Sequence, residues 1–532
     1  MTEPCACTIV SNNYLAFARV LAESLLARHP EMQIFVLVVD EPASGIDYSG
    51  ERFRVIFADE LDIPRFRHFA FKYSLLELNT AVKPYFLKHL HASFGVTEVL
   101  YFDPDIKVKG DLTPLFESLD QHNILLTPHL LEPLEDEFRP SERSILLSGV
   151  YNLGFLGLRF NDQTLEFLEW WQKRLYSYCL HRISDGLFVD QRWMDLAPCL
   201  LSDVDVVRDP GCNVAYWNLA NRYLVPGEQG WQVNGNPLRF FHFSGLVVDD
   251  LEQISKYQDR YKLKDRAELR PLFKEYRQDL LTAGWESTRS IPYAYGRFHN
   301  GIGVPDLART ELWRVDATGD RWPDPFAVEG SDTYYSWLNA GVQAETGPAW
   351  LPRMALVLWE HRPDLQGAFP DPLATDHPHY VRWLVSDEPR AAGIDADFFR
   401  KLETVDLPRT GTGGKSADSD DSQGHHLLSM DTRSDADAGP RLPRLAMLIW
   451  EKRPDLQDVF QAPLGQSRAG FARWFVTFAR VEYQLPRALW LPTLQSLPLM
   501  ERARAHAWWW LHRSPGKAIE TRGSWRDFGP QA

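Results

Sequence analysis

Cysteine, positive charge and long apolar runs are all scarce in this chain, and each scarcity excludes something. The 532 residues hold five cysteines (Cys5, Cys7, Cys179, Cys199 and Cys212), odd in number and irregularly spaced. Such a set builds no disulfide framework and predicts reduced thiols, as in a cytosolic protein. Cys5-Ala6-Cys7 is too tight for a zinc knuckle and has no second pair downstream. The formal net charge is −15, the wrong sign for general nucleic-acid binding, which needs a basic surface. No apolar run approaches the roughly 18 residues of a membrane-spanning helix. The opening Met1-Thr2-Glu3-Pro4 lacks the basic stretch and apolar core of a secretory signal. The expectation is a soluble, cytoplasmic protein with, at most, peripheral attachment at the inner membrane. Neither G-x-G-x-x-G nor a P-loop occurs in the first hundred residues, which argues against a nucleotidyltransferase or phosphohydrolase built on such a loop.

What is present reads as a large globular chain, 44% apolar and 24% charged. Cys7-Thr8-Ile9-Val10 is a strand, Ser11-Asn12-Asn13 a turn and helix cap, and Leu15 to Leu25 a helix by its apolar spacing. Gln33–Asp40 is a continuous apolar strand of the kind buried on both faces in a parallel sheet. Arg54–Asp59 repeats the pattern, a helical stretch runs from about Lys72 to Leu90, and the short apolar strand within Val96–Val108 comes next. This alternation predicts a doubly wound α/β domain with its ligand at the strand ends. A Trp-rich helix is expected over about 163–179, and Arg239–Gly245 closes the domain.

The predicted organisation is an α/β domain over 1–250, a charged helical extension over 251–290 and an accessory helical region with a repeat unit over 291–406. A flexible Asp/Ser/Gly-rich insertion follows over 407–440, then a second repeat unit and tail over 441–532. The repeat is direct: Leu351–Gln366 recurs as Leu442–Gln457, with Trp359 and Trp450, and Trp383 and Trp474, at one offset of 91 residues. A weaker copy includes Pro323 and Tyr334 to Trp337. Stacked units of this type build scaffolds or docking surfaces. A non-catalytic scaffold or carbohydrate-binding protein acting through them is the alternative to an enzyme. The repeat tryptophans and Trp508-Trp509-Trp510 read as core or as contact surface.

Chemistry concentrates at Val96–Val108, where a short apolar strand delivers Asp103 and Asp105 two residues apart, with Pro104 stiffening the turn between them. Two carboxylates at the carboxyl end of a strand suit a hard divalent cation that also binds phosphate oxygens. Asn13 and Tyr14 follow the first strand, where a doubly wound sheet receives a nucleotide, and Tyr14 is placed to stack on a base. Lys83, before Pro84, is a candidate phosphate contact. His242 is a candidate third metal ligand. Asn152, near Gly154, and Asp190-Gln191 are candidates for sugar contacts, with Asn213, Tyr216, Trp217 and Asn218 as an aromatic-amide cluster.

The order of these elements over about residues 5–250 resembles glycosyltransferase family 8 and its bacterial relatives, in particular those with long C-terminal extensions. The resemblance implies a GT-A fold and a divalent cation, Mn2+ or Mg2+, held by Asp103, Asp105 and His242. It implies transfer of a sugar from a nucleoside-diphosphate donor, taken as UDP, with retained anomeric configuration. The acceptor would be a glycan, a lipid-linked precursor of cell-surface polysaccharide, or a protein. Asn13, Tyr14 and Lys83 would then hold the donor, and Asn152, Asp190 and Gln191 would line the sugar, Asp190 stabilising the oxocarbenium-like centre. Two departures stand out. Position 104 is Pro, and His242-Phe243-Ser244-Gly245 lacks the Lys-Pro that usually follows, leaving part of the diphosphate grip unassigned.

Overall fold

The computed structural model describes residues 4–404 apart from 229, 346–347 and 392, together with short stretches between 442 and 497. The acidic insertion 407–440 and Trp508–Trp510 lie outside the described residues. Two compact units are present, 1–329 and 330–532.

The first unit is built on a seven-stranded sheet. Its strands are β1 (Cys5–Val10), β2 (Gln33–Val38), β3 (Arg54–Phe57), β4 (Glu98–Phe102), β6 (Ile124–Pro128), β7 (Tyr151–Arg159) and Val204–Val206; the short β5 (Ile106–Val108) stands outside it. The order is Val204–Val206, β6, β7, β4, β1, β2, β3. Every pairing is parallel except those of β7, which runs antiparallel to both β4 and β6. β1 and β2 are almost wholly buried, as continuous apolar runs covered on both faces must be. Their side chains form one core with the helix Leu15–Leu26, around Val36, Leu100, Phe102 and Phe155. The α/β fold class and the order of its first elements are as the sequence predicts.

Two local expectations are corrected. The single helix from Lys72 to Leu90 is instead Phe66–Lys72, Leu75–Ala81 and Lys83–Phe94. Ser74 and Glu77 form a capping box that starts a new helix, and Pro84 in the first turn starts another. The charged extension 251–290 is helical only from Ala267 on, as a 3-10 turn over Ala267–Leu269 and α-helices over Arg270–Thr282 and Trp285–Thr288. Ahead of that turn, Asp250, Ser255 and Asp265 side chains accept from nearby backbone N–H groups and hold turns that compete with helix. The segment 251–329 packs into the same unit as the sheet: Tyr276 stacks on Phe243, and buried Arg309 donates to the Phe71 and Tyr73 carbonyls.

The second unit is mainly helical, with the helices Arg353–Glu360, Pro363–Ala368 and His377–Leu384, and with Arg444–Glu451 and Arg468–Trp474 further on. Identical contacts recur at the repeat offset. Trp359 Nε1 donates to the Phe369 carbonyl and Trp450 Nε1 to the Phe460 carbonyl, both at 2.9 Å. Gln366 and Gln457 each donate back to their own tryptophan's carbonyl. Tyr380 stacks with Trp383, Phe471 with Trp474, and Tyr334 with Trp337, all with interplanar angles under 20°. Trp474 is buried, whereas Trp337, Trp359 and Trp383 are half-buried. No described helix is long and apolar enough to cross a membrane.

Candidate metal centre and nucleotide-sugar site

β4 ends at Phe102, so Asp103 and Asp105 leave the carboxyl edge of the sheet beside the topological switch between β1 and β4. His242 reaches them by strand pairing. Phe240–His242 runs antiparallel to β5, with His242 opposite Ile106, and the Phe243 N–H donates to the Asp105 carbonyl at 2.8 Å. One ligand atom from each of Asp103, Asp105 and His242 lies within 4.8 Å of the others. His242 Nε2 is 2.9 Å from Asp105 Oδ1 and 3.9 Å from Asp103 Oδ2.

The partners behind these ligands fix their orientation. His242 Nδ1 lies 3.1 Å from Asn213 Oδ1, which assigns its proton to Nδ1 and leaves Nε2 for the centre. Asn213 is itself held, donating to Thr127 Oγ1 and Asn152 Oδ1. The Tyr101 hydroxyl donates to Asp103 Oδ1 at 2.7 Å. Two carboxylates and an imidazole, with Asp103 and His242 each oriented by a further hydrogen bond, fit a divalent cation. Burial alone would lower the His242 pKa, but the Asp105 and Asp103 carboxylates outweigh it and raise it. Burial raises the Asp103 carboxyl against the opposing pull of Lys83 and His242.

Lys83 and Asp190 also meet here, but they face each other. Lys83 is 1% exposed and Asp190 2%, and their Nζ and Oδ2 atoms are 2.6 Å apart. Lys83 Nζ donates also to the Leu153 carbonyl and lies 4.2 Å from the Tyr101 ring centroid. Burial raises the Asp190 pKa, and Lys83 opposes the shift. Asn152 and Gln191 are buried struts. Asn152 Oδ1 accepts from the Gly154 N–H, and Gln191 Oε1 from the Leu153 N–H. Gly154 makes room for the His242 imidazole, since a Cβ there would stand 2.3 Å from His242 Cε1. Tyr14 is 41% exposed and stacked on Phe17. Asn13 is held in its turn by the Ser11 hydroxyl.

Tyr101 is the member that sequence reasoning missed. It precedes Asp103 by two residues at the end of β4, and that two-residue spacing is the available signal.

No protein-family model matches the chain. It is similar to two uncharacterised proteins of Bacillus subtilis strain 168. YfnF is 26% identical over 258 residues, covering 48% of this chain and 85% of that protein. YfnD is 23% identical over 312 residues, covering 57% and 97%. Similar solved structures include the galactosyltransferase LgtC in complex with donor and acceptor sugar analogues, 16% identical, covering 54% of this chain and 97% of that one, TM-score 0.32. The glycosyltransferase GlyE of Streptococcus pneumoniae TIGR4 is 15% identical, with coverage 56% and 67% and TM-score 0.33. Mouse xyloside xylosyltransferase 1 is 15% identical, with coverage 46% and 98% and TM-score 0.30.

Proposed function

We propose that the chain is a metal-dependent, retaining glycosyltransferase that moves a sugar from a nucleoside-diphosphate donor, UDP by preference, to a glycan or lipid-linked acceptor of cell-surface polysaccharide synthesis. The observation that carries this reading is the cluster of Asp103, Asp105 and His242 at the carboxyl edge of a doubly wound sheet. Those three residues would hold the cation, which supplies positive charge where the departing diphosphate gathers negative charge. Asn213 keeps the imidazole in one tautomer and orientation, and Tyr101 keeps the Asp103 carboxylate turned inward. Tyr14, which follows the first strand and is exposed, offers a face to the base.

Asp190 is held in a buried ion pair with Lys83. We assign this pair, together with Asn152 and Gln191, to holding the wall on which the sugar rests; a pair of zero net charge does not supply the support of an oxocarbenium-like centre that the resemblance implies for Asp190.

The test is hydrolysis of a panel of nucleotide sugars with Mn2+, in the wild type and in D103A and D105A. Turnover of one donor, lost in both variants, is expected. Metal-independent turnover, or no turnover and no donor binding, would sink the proposal.

A further inference from the structure

The run Asn213-Val214-Ala215-Tyr216-Trp217-Asn218 reads in the sequence as a group that grips carbohydrate, yet all of it but Tyr216 is buried. Asn213 opens the loop at φ +52°, a left-handed conformation that asparagine adopts more readily than most residues. Asn218 closes it: Oδ1 accepts from the Ala215 N–H and Nδ2 donates to the Asn213 carbonyl, both at 3.0 Å. The loop is also stitched to the strand that carries His242. The Val214 N–H donates to the Phe240 carbonyl at 3.2 Å, and the His242 N–H to the Val214 carbonyl at 2.8 Å. Loop and imidazole therefore share one backbone frame.

That frame delivers two constraints to His242. Asn213 Oδ1 meets the imidazole Nδ1 at 3.1 Å, which fixes where one ring atom points and leaves the tilt of the ring about that bond open. The Trp217 ring lies 5.1 Å from the imidazole centroid at an interplanar angle of 87°, and this edge-to-face contact fixes the tilt. Trp217, 3% exposed, is braced in turn against His129 at 5.4 Å and 67°, and against Tyr216 at 5.0 Å and 79°. His129 follows β6 directly and belongs to the same wall. Its Nδ1 lies 3.3 Å from the Val150 carbonyl, its Nε2 3.4 Å from Asn152 Nδ2, and its carbonyl accepts from Asn218 Nδ2. Trp217 Nε1 is buried and finds no hydrogen-bond partner among the described residues. Buried indoles normally find one, so the ring rather than its N–H accounts for a tryptophan here.

We infer that Trp217 is a positioning residue of the metal centre: it holds the plane of the His242 imidazole so that Nε2 faces the space shared with Asp103 and Asp105, and the cluster around it serves the metal rather than the sugar. The inference rests on the metal-dependent reading and names a residue that acts on that site through one of its ligands. An imidazole nitrogen binds a cation through a lone pair that lies in the ring plane. Tilting the plane swings that lone pair off the cation even where the Nδ1 hydrogen bond survives. Losing an orienting group of this kind weakens metal binding about 10- to 100-fold.

Calorimetric titration of the full-length protein with Mn2+, beside thermal melts in EDTA, tests it. W217F keeps a ring and is expected to bind Mn2+ within about twofold of the wild type. W217L and W217M fill the space without a plane and are expected to bind about tenfold more weakly or worse. In an H242A background the same changes should add less than about twofold, because the imidazole they act on is gone. W171L, at another fully buried tryptophan, is expected to lower the melting temperature and leave Mn2+ affinity unchanged. If H242A loses Mn2+ affinity while W217L or W217M stays near the wild type, Trp217 only fills the core and the inference falls alone. An equal loss from W217L in the wild-type and H242A backgrounds would place the effect elsewhere and overturn it. So would a tenfold loss in W217F, a conservative change that reads out even where the non-aromatic variants do not fold. If the wild type binds no divalent cation, the metal-dependent reading falls and this inference with it.

Discussion

Gly154→Ala is the sharpest single test of the centre, because its consequence follows from distances. The added Cβ would lie 2.3 Å from His242 Cε1, 2.7 Å from Nδ1 and 2.8 Å from Asn152 Oδ1. Carbon atoms prefer about 3.5–4.0 Å, so roughly an ångström must be found. β7 cannot supply it: its residues pair with β4 and β6 on both sides, and the Gly154 carbonyl accepts from the Asp103 N–H at 2.7 Å. The imidazole must move instead, which disturbs its contact with Asn213. Metal ligands tolerate errors of about 0.2 Å, so a shift several times larger should cost Mn2+ affinity on the order of 10- to 100-fold, about 1.4–2.8 kcal/mol. Overpacking should also lower stability by about 1–3 kcal/mol. Gly157→Ala controls for that part: on the same strand, its Cβ would crowd the Leu125 side chain at 2.9 Å, in the core rather than at the centre. The assay is Mn2+ titration by calorimetry beside thermal melts in EDTA. G154A should lose metal affinity and G157A should not. Equal Mn2+ affinity in G154A and wild type would refute the claim that His242 is a ligand in the position described.

Tyr101→Phe removes the hydroxyl donated to Asp103 Oδ1 and should weaken Mn2+ by about tenfold while leaving the melting temperature nearly unchanged; an unchanged Mn2+ isotherm would show the bond to be incidental. Asp40, 3% exposed and accepting from the Ala294 and Asn12 N–H groups, has its pKa pushed up by burial from 3.8 to about 6. The folded state then holds this proton more tightly than the unfolded chain. Its contribution to stability is complete below about pH 4 and falls by about 3 kcal/mol as pH rises through 6. Subtracting the D40N stability–pH curve from that of the wild type should isolate this slope, and a flat difference would refute the shift. Trp359→Phe keeps the ring's apolar bulk but deletes the Nε1–H bond to the Phe369 carbonyl, leaving a half-buried acceptor unpaired at a cost of about 1 kcal/mol. Faster hydrogen exchange across 353–384 should report it, and unchanged exchange would contradict the bond's role in the repeat.

The sheet was legible because its chemistry is local. Gln33–Val38 is apolar throughout, which only a strand covered on both faces tolerates, and the Asp-Pro-Asp turn announces itself by following such a strand directly. His242 could be singled out from its place before a Gly-containing loop and from the resemblance, but nothing local ties it to Asp105 across more than a hundred residues; the tie is the register of Phe240–His242 on β5. The interior was harder to read for the same reason. A lysine before a proline and an aspartate before a glutamine each look like ligand contacts when taken alone. Their pairing across the sheet makes sense only once β7 has brought the Leu153 carbonyl under the Lys83 ammonium. Two buried charges at 2.6 Å are costly to strand singly and cheap to keep together, so the pair constrains the wall of the site more than it invites a ligand. The pair therefore gives the two aspartates of the centre a neighbour of zero net charge. A cation bound by Asp103, Asp105 and His242 would meet two carboxylates rather than three, and retains positive charge for a diphosphate.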